Sequence, residues 1–323
     1  MASGVQGLVD KVVGSASRIG GQGGSASRSA TGLPGPSRAG SLSRQERSLV
    51  GVARWRDTQY NTENTAAQQA YGQAFWEASR SIGAQISSGQ ARSLRDVWSK
   101  AREWRSRNAG SLGAGFDTDR DPMSERITPL AGQYDYIRRA YSSRSDGQVE
   151  QSWSDNLPPS RHFRMEDTID GQPVRLTSIV MSLEPDADRN SMRNTNLRSM
   201  GYRSDSEPYH IAHTPASEVS RIMAHAETLY SRATDPSASN EQSLTTLAEL
   251  HWWTAHAMPD ERGSAAKAEL TVRSIAQSRG MDLPPFRKGF VPDLEAMTTS
   301  RSEFVEKYPA MFEWKSTSWR QNE

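Results

Sequence analysis

The chain has 323 residues and a mass of 35.8 kDa, enough for one large domain or two smaller ones. Its 39 basic and 38 acidic residues leave a net charge of +1, which gives no electrostatic footing for nucleic acid as the main partner. Cysteine is absent, so disulfides, thiolate metal sites, cysteine nucleophiles and palmitoylation are excluded; no apolar run approaches the roughly 20 residues of a transmembrane segment.

Residues 1–48 differ from the rest. The stretch "SRIGGQGGSASRSATGLPGPSRAGSLSR" is Gly, Ser, Arg and Ala, and Asp10 and Glu46 are the only acids before Leu49. Such a segment buries too little apolar surface to offset its ordering entropy, so it is expected to be disordered. It lacks the apolar core of a secretory signal peptide. Its composition fits an organellar transit peptide, an exported bacterial type III secretion leader or a plain flexible tail. Ala2 follows Met1, so N-myristoylation is not written in.

Helical periodicity begins over 64–88, where Ala67, Tyr71, Ala74, Phe75, Ala78, Ile82 and Ile86 form one stripe. Residues 93–107 place Leu94, Val97, Trp98, Ala101 and Trp104 on one face, with Ser93 as N-cap. A polar loop covers 108–125, and 127–143 reads as a helix with Pro129 in its first turn. Over 161–183, Asp170-Gly171 separates two partly alternating runs, which predicts a β-hairpin. Helical patterns return at 187–200, 216–233, 243–258, 264–279 and 293–300. The fold class is α+β, mainly helical, with a small strand element near the middle.

The most informative stretch is "HWWTAHAMPDERGSAAKAEL", residues 251–270. His251 lies on the apolar stripe of its helix and reads as a hydrogen-bonded core histidine. Trp252 and Trp253 cannot share a stripe, so one is expected inside and the other lining a cleft or second interface. The following helix is expected to start on Ser264 as N-cap and end at Gly280. Small residues in its first turns, Gly263 beside them and Arg262 just before them make a workable phosphate or diphosphate site, because free N–H groups and the helix dipole favour anions. Taken alone, though, the residues favour a purely structural corner, with Arg262 paired to Asp260 or Glu261 as a surface ion pair, since many helices begin this way and bind nothing. In "GMDLPPFRKGFVPDLEAM" (280–297), Pro284-Pro285 forces an extended connection and Asp293 opens a helix. An acid there either complements the helix dipole or turns into the cleft that Arg262 faces.

Weaker patterns carry less. His210 and His213 have metal-ligand spacing but no third ligand, and read as solvent-facing loop histidines; no metal is expected. The D-x-D patterns at Asp117–Asp121 are short enough to arise by chance, and "GSLGAG" (110–115) lacks the preceding strand of a phosphate loop.

The blocks "HWW-A-AMPD-RGSAAKAE" (251–269), "LPPFR-G-V-D-EAM" (283–297) and "EFVEKY" (303–308) resemble the AvrB family of plant-pathogen type III effectors. Fainter echoes are "LPGPS" (33–37), "ARW" (53–55), "VWSKAREWR" (97–105), "TPL" followed by Tyr134, "DNL" (155–157) and "HT-AS" (213–217). The resemblance spans nearly the whole chain after residue 48, densest in its last fifth and thin over about 140–210. It implies a two-lobed fold related to the Fic/Doc (Fido) superfamily, with a helical lower lobe, a small mixed upper lobe and a cleft between them. It further implies delivery by a type III system into a plant cell, and action on a host immune regulator guarded by intracellular receptors.

The chemistry implied by the resemblance is transfer of a deoxysugar, rhamnose, from a UDP- or dTDP-activated donor to a threonine of the target, with no other cofactor. The alternative is a nucleotide- and peptide-binding adaptor that promotes phosphorylation of the target by host kinases. The family's cleft positions fall here on Thr128, Tyr134, His213, Arg262 and Asp293. Arg262 and Asp293 take the catalytic roles, and Gly263 and Ser264 join Thr128, Tyr134 and His213 as binding positions. Two features depart from the pattern. Met1-Ala2-Ser3 replaces the family's myristoylated glycine, which leaves host membrane association without its signal. The loop "PDERGS" is not the His…Gly-Asn-Gly-Arg loop of Fic enzymes that transfer AMP, so that activity is not expected.

Overall fold

The computed structural model describes residues 42–109, 115–123, 125–151, 158–185 and 208–314. The expected leader therefore lies outside the described residues up to position 41, as does the whole of the helix expected over 187–200. The folded part reaches back further than residue 49. Ser43 caps a short helix α1 (Arg44–Arg47) through a capping box with Glu46, and Leu42 is buried. Charged residues had masked this segment, because one buried leucine gives no periodicity.

Helices α2 (Ala66–Ser87) and α3 (Leu94–Arg107) follow their apolar stripes. Thr65 and Ser93 accept the first-turn N–H bonds as N-caps, and α3 buries Leu94, Val97, Trp98 and Ala101. The next expectation fails in part. Ile127–Pro129 is a strand, β1, and the chain turns through a 3₁₀ segment (Gly132–Tyr134) before helix α4 (Asp135–Ser142) begins. Pro129 belongs to an edge strand, where a missing N–H costs no ladder bond, and three residues are too few to display alternation.

The hairpin forms as expected. Strands β3 (Ser160–Ile169) and β4 (Gln172–Ser182) pair from Ile169↔Gln172, and the turn residues Asp170 and Gly171 both have positive φ. That is the backbone a two-residue turn needs to match strand twist, and Asp-Gly supplies it. Strands β2 (Gln148–Glu150) and β5 (Tyr209–Ala212) complete a five-stranded antiparallel sheet of order β1-β5-β4-β3-β2. His210 lies within β5 and His213 just after it; both are buried, which corrects the solvent-facing reading.

The remaining helices are α5 (Ala216–Ala233), α6 (Asn240–Ala257), α7 (Ser264–Ser278), α8 (Pro292–Thr298) and α9 (Arg301–Lys307). Helix α6 is the axis of the helical part and touches α5, α7, α8, α9 and β4. Both Trp252 and Trp253 are consequently buried, their rings 5.0 Å apart and edge-on, so neither lines a cleft. The last two turns of α6, where every residue over 250–257 is buried, have no stripe for one tryptophan to be excluded from. His251 is core as expected: its Nδ1 lies 2.7 Å from Tyr308 Oη, and burial lowers its pKa to about 3, so it is neutral.

Two hydrophobic clusters result. The larger joins α2, α3, α5, α6, α7 and α9 to Ile169, Val174 and Leu176 of the hairpin. The smaller packs Phe163, Ile179, Met181 and Ile211 of the sheet against Leu130, Ile137, Leu294, Met297 and Trp55. His256 stitches them. Its Nε2 donates to Ala296 O at 3.1 Å, so its Nδ1 accepts from Thr177 Oγ1 at 3.0 Å. Arg221 on α5 donates to the carbonyls of Ile169, Gln172 and Pro173 around the hairpin turn. Arg301 on α9 grips Asp167 of β3 through two bonds. The sheet is thereby fixed on the helices from two sides.

Helix α2 packs closely on the C-terminal part of α7. A Cβ on Gly83 would meet Gln277 Cβ at 2.7 Å and Ser274 O at 2.8 Å. At an open helical position Gly→Ala would stabilise by about 1 kcal/mol. Here overpacking dominates, and Gly83→Ala is expected to lower stability by about 1–3 kcal/mol in chemical denaturation. A gain in stability would show that the two helices do not meet at Gly83.

Candidate functional site

The corner between α6 and α7 is built around a buried ion pair. Lys267 and Asp260 are both fully buried, with Nζ 2.6 Å from Asp260 Oδ2. Trp98 Nε1 donates to the same carboxylate at 3.1 Å, and Arg102 reaches its other oxygen. Lys267 also donates to Phe116 O at 2.6 Å and Arg262 O at 2.9 Å. The loop carrying Asp117–Asp121 runs along this corner. Arg120 N bonds Pro259 O, Glu261 N bonds Thr118 O, and Asp119 bridges Asp260. The aspartates of that loop thus serve the corner: Asp119 pairs with Arg102, and Asp121 N donates to Glu261 Oε1.

Helix α7 starts one residue earlier than expected. Gly263, at φ +73°, is the N-cap and provides no side-chain cap, while Ser264 is the first helical residue. The Ser264 hydroxyl is spent on Asp260, donating to its carbonyl and accepting from its N–H. Among the described residues the first turn contains no acid and no capping side chain, so an anion placed there would meet the positive end of the helix dipole. Asp260, one of the two acids that a purely structural corner would pair with Arg262, is instead held by Lys267, Trp98 and Arg102. Arg262 lies over Phe116, its guanidinium carbon 5.0 Å from the ring centroid.

Thr128 and His213 are brought together across β1 and the end of β5, with Oγ1 2.8 Å from Nε2. His213 is held well below its ordinary pKa by burial first and then by the charges of Arg126 and Arg120, so its imidazole is neutral. Arg126 connects this pair to the α6–α7 corner. Its carbonyl accepts from His213 N at 2.9 Å, while its guanidinium donates to the carbonyls of Asp260 and Glu261. Sequence reasoning missed Arg126, because a lone arginine before a three-residue strand gives no pattern. It missed Lys267 for another reason: a lysine in a small-residue turn reads as solvated.

Asp293 occupies the second position of α8, after Pro292. Backbone N–H groups at that helix start pull its pKa down, but burial is the larger effect. It carries the carboxyl from 3.8 to about 6, helped by the negative charges of Glu269 and Glu295. Tyr134 lies close enough for the Asp293 charge to add to the burial that raises its phenol to about 12. Its ring packs edge-on against Trp55 at 5.6 Å. Asp293 and Tyr134 therefore form one group, Thr128 and His213 a second, and Arg262 with Gly263 and Ser264 a third. Arg126 joins the second to the third, and Glu269 on α7 links the first to the helix on which the third is built.

A raised carboxylate pKa has a sign that can be tested. Between pH 3.8 and about 6 the folded protein holds more protons at Asp293 than the unfolded chain, so this residue makes stability fall as pH rises through that window. Asp293→Asn removes the penalty. It is expected to be more stable than the parent at pH 7.5 by about 1–3 kcal/mol, with the difference vanishing near pH 4. Thermal melts of both proteins across that range check it; a constant difference at every pH would refute it.

Comparison with known proteins bears on these residues. A family model described as avirulence protein, AvrB/AvrC, matches residues 9–315. Avirulence protein B of Pseudomonas savastanoi pv. glycinea is 33% identical over 292 residues, covering 87% of this chain and 90% of that protein. The matched span contains the corner at Arg262, the Thr128–His213 pair and Asp293, and the chain belongs to the AvrB/AvrC family of avirulence proteins.

Proposed function

We propose that this protein is a type III secreted effector that enters plant cells and glycosylates a guarded host immune regulator. The donor is a nucleotide-activated deoxysugar of the UDP- or dTDP-rhamnose type, the acceptor is a threonine hydroxyl, and the fold is the two-lobed, Fido-related one the resemblance implies. The observation that carries this reading is the state of Asp293. A partly buried carboxyl with a pKa of about 6 is ionised at neutral pH yet basic enough to accept a proton.

In this reaction the acceptor oxygen attacks the anomeric carbon of the sugar. The bond from that carbon to the diphosphate breaks, its electron pair leaves on the diphosphate oxygen, and the hydroxyl proton passes to Asp293. Arg262 and the uncapped N–H groups of α7 stabilise the departing diphosphate; they are fixed before the charge develops, which is the condition for such stabilisation to be large. Thr128, with neutral His213 behind its hydroxyl, and Tyr134 contact the sugar or the acceptor peptide.

Incubating the protein with each donor and the target, followed by intact-mass and fragment spectra, is expected to show one deoxyhexose on a target threonine. Arg262→Ala is expected to cut the modification rate by about 10²–10³ while the target is still bound. Tight target binding with no sugar adduct from either donor would instead identify an adaptor that presents the target to host kinases.

A further inference from the structure

Arg262 is seated by its neighbours to a degree that a surface ion pair would not require. A Cβ on Gly115 would lie 3.1 Å from Arg262 Cδ, and one on Gly263 would lie 2.9 Å from Phe116 Cδ1. Both glycines have positive φ, +97° and +73°, where other residues are strained. Space on two sides of the contact is thus cleared for an arginine stem and a phenyl ring. Phe116 is only 3% exposed, and it faces two cations: the guanidinium carbon of Arg105 is 4.4 Å from its centroid and that of Arg262 is 5.0 Å. Arg105 is held in turn, with Nη1 donating to Asn108 O at 3.0 Å. Lys267 then ties the loop that carries the ring to the loop that carries Arg262, through the Phe116 and Arg262 carbonyls.

An exposed arginine carries about 2 kcal/mol of rotamer entropy, which it loses when it grips an anion. A ring beneath the guanidinium removes part of that freedom beforehand, and a cation–π contact contributes about 0.5–2 kcal/mol depending on desolvation. Two guanidinium groups on one ring also concentrate positive charge beside the α7 start, a field suited to a multiply charged anion.

We propose that Phe116 is the positioning residue for Arg262, holding its guanidinium in the orientation that binds the diphosphate of a nucleotide sugar, with Lys267 fixing Phe116 in place. The assignment rests on the reading of Arg262 as a diphosphate ligand. Phe116 itself does not touch the ligand; it acts through Arg262.

The test is a double-mutant cycle on the full chain. UDP and dTDP binding is measured by calorimetry for the parent, Phe116→Leu, Arg262→Ala and the double variant. Phe116→Leu is expected to keep the parent's circular dichroism and weaken nucleotide binding by about 3- to 30-fold. In the Arg262→Ala background it should change affinity less than twofold, since nothing remains to be positioned. An equal loss in both backgrounds, or no loss in the parent background, would overturn the proposal. If the parent binds neither nucleotide, the reading of Arg262 as a diphosphate ligand fails. The positioning role is then decided by phenylglyoxal modification of Arg262, followed by mass spectrometry. Faster modification in Phe116→Leu than in the parent supports it, and an unchanged rate overturns it. Should Phe116→Leu not fold, Phe116→Met fills similar space without a ring face and is read the same way.

Discussion

The buried pair of Lys267 and Asp260 is the contact on which the candidate site depends. Taking two charges out of water costs several kcal/mol per ion, and their attraction offsets this only when the remaining donors and acceptors are satisfied. Here they are. Lys267 places its three N–H bonds on Phe116 O, Asp260 Oδ2 and Arg262 O, and the carboxylate also receives Trp98 and Arg102. A hydrophobic pair of the same volume could be as stable, but it could not tie these groups together. The ion pair joins α3, the 115–121 loop and the start of α7 at one point. The geometry of Arg262 is a consequence of that junction.

The second constraint is the seam between the two hydrophobic clusters. Helix α8 contributes Leu294 and Met297 to the smaller cluster, while its Ala296 belongs to the larger and accepts from His256 of α6. Its first turn is therefore drawn into the protein, and Asp293 goes with it. Burial there defeats the stabilisation that a helix start ordinarily gives a carboxylate, which is why the pKa rises although backbone N–H groups are within reach. The same seam holds His256 neutral with a pKa of about 3, and the neutral ring fits its two opposite hydrogen-bonding duties.

What the sequence made legible follows from the length of each signal. Helices α2, α3, α5, α6 and α7 run two or more turns with repeated apolar positions, and the Asp170-Gly171 turn has a specific backbone demand; these emerged near their true bounds. Strands β1, β2 and β5 are three or four residues long and held by partners distant in sequence, so no local pattern could reveal them. The site divides the same way. Arg262 and Asp293 stand at helix starts that Gly, Ser and Pro announce, whereas Arg126, Phe116 and Lys267 acquire meaning only when the 115–126 segment folds onto the corner. Trp253 shows the converse limit: adjacency to Trp252 argued for one ring lining a cleft or second interface, and the burial of every residue over 250–257 of α6 overrode it.

The starts of α7 and α8 are used in opposite senses. At α7 the first turn has no acid, its serine hydroxyl is turned back onto Asp260, and a positive side chain stands just before it, so the local field there favours negative charge. At α8 the acid is built in but is held where its charge is poorly solvated, so the field there favours taking up a proton. Glu269, in the second turn of α7, adds its negative charge to the burial that raises Asp293. A reaction that releases negative charge at one place and a proton at another would draw on both differences together, and departure of a diphosphate from an attacking hydroxyl's target carbon has that form.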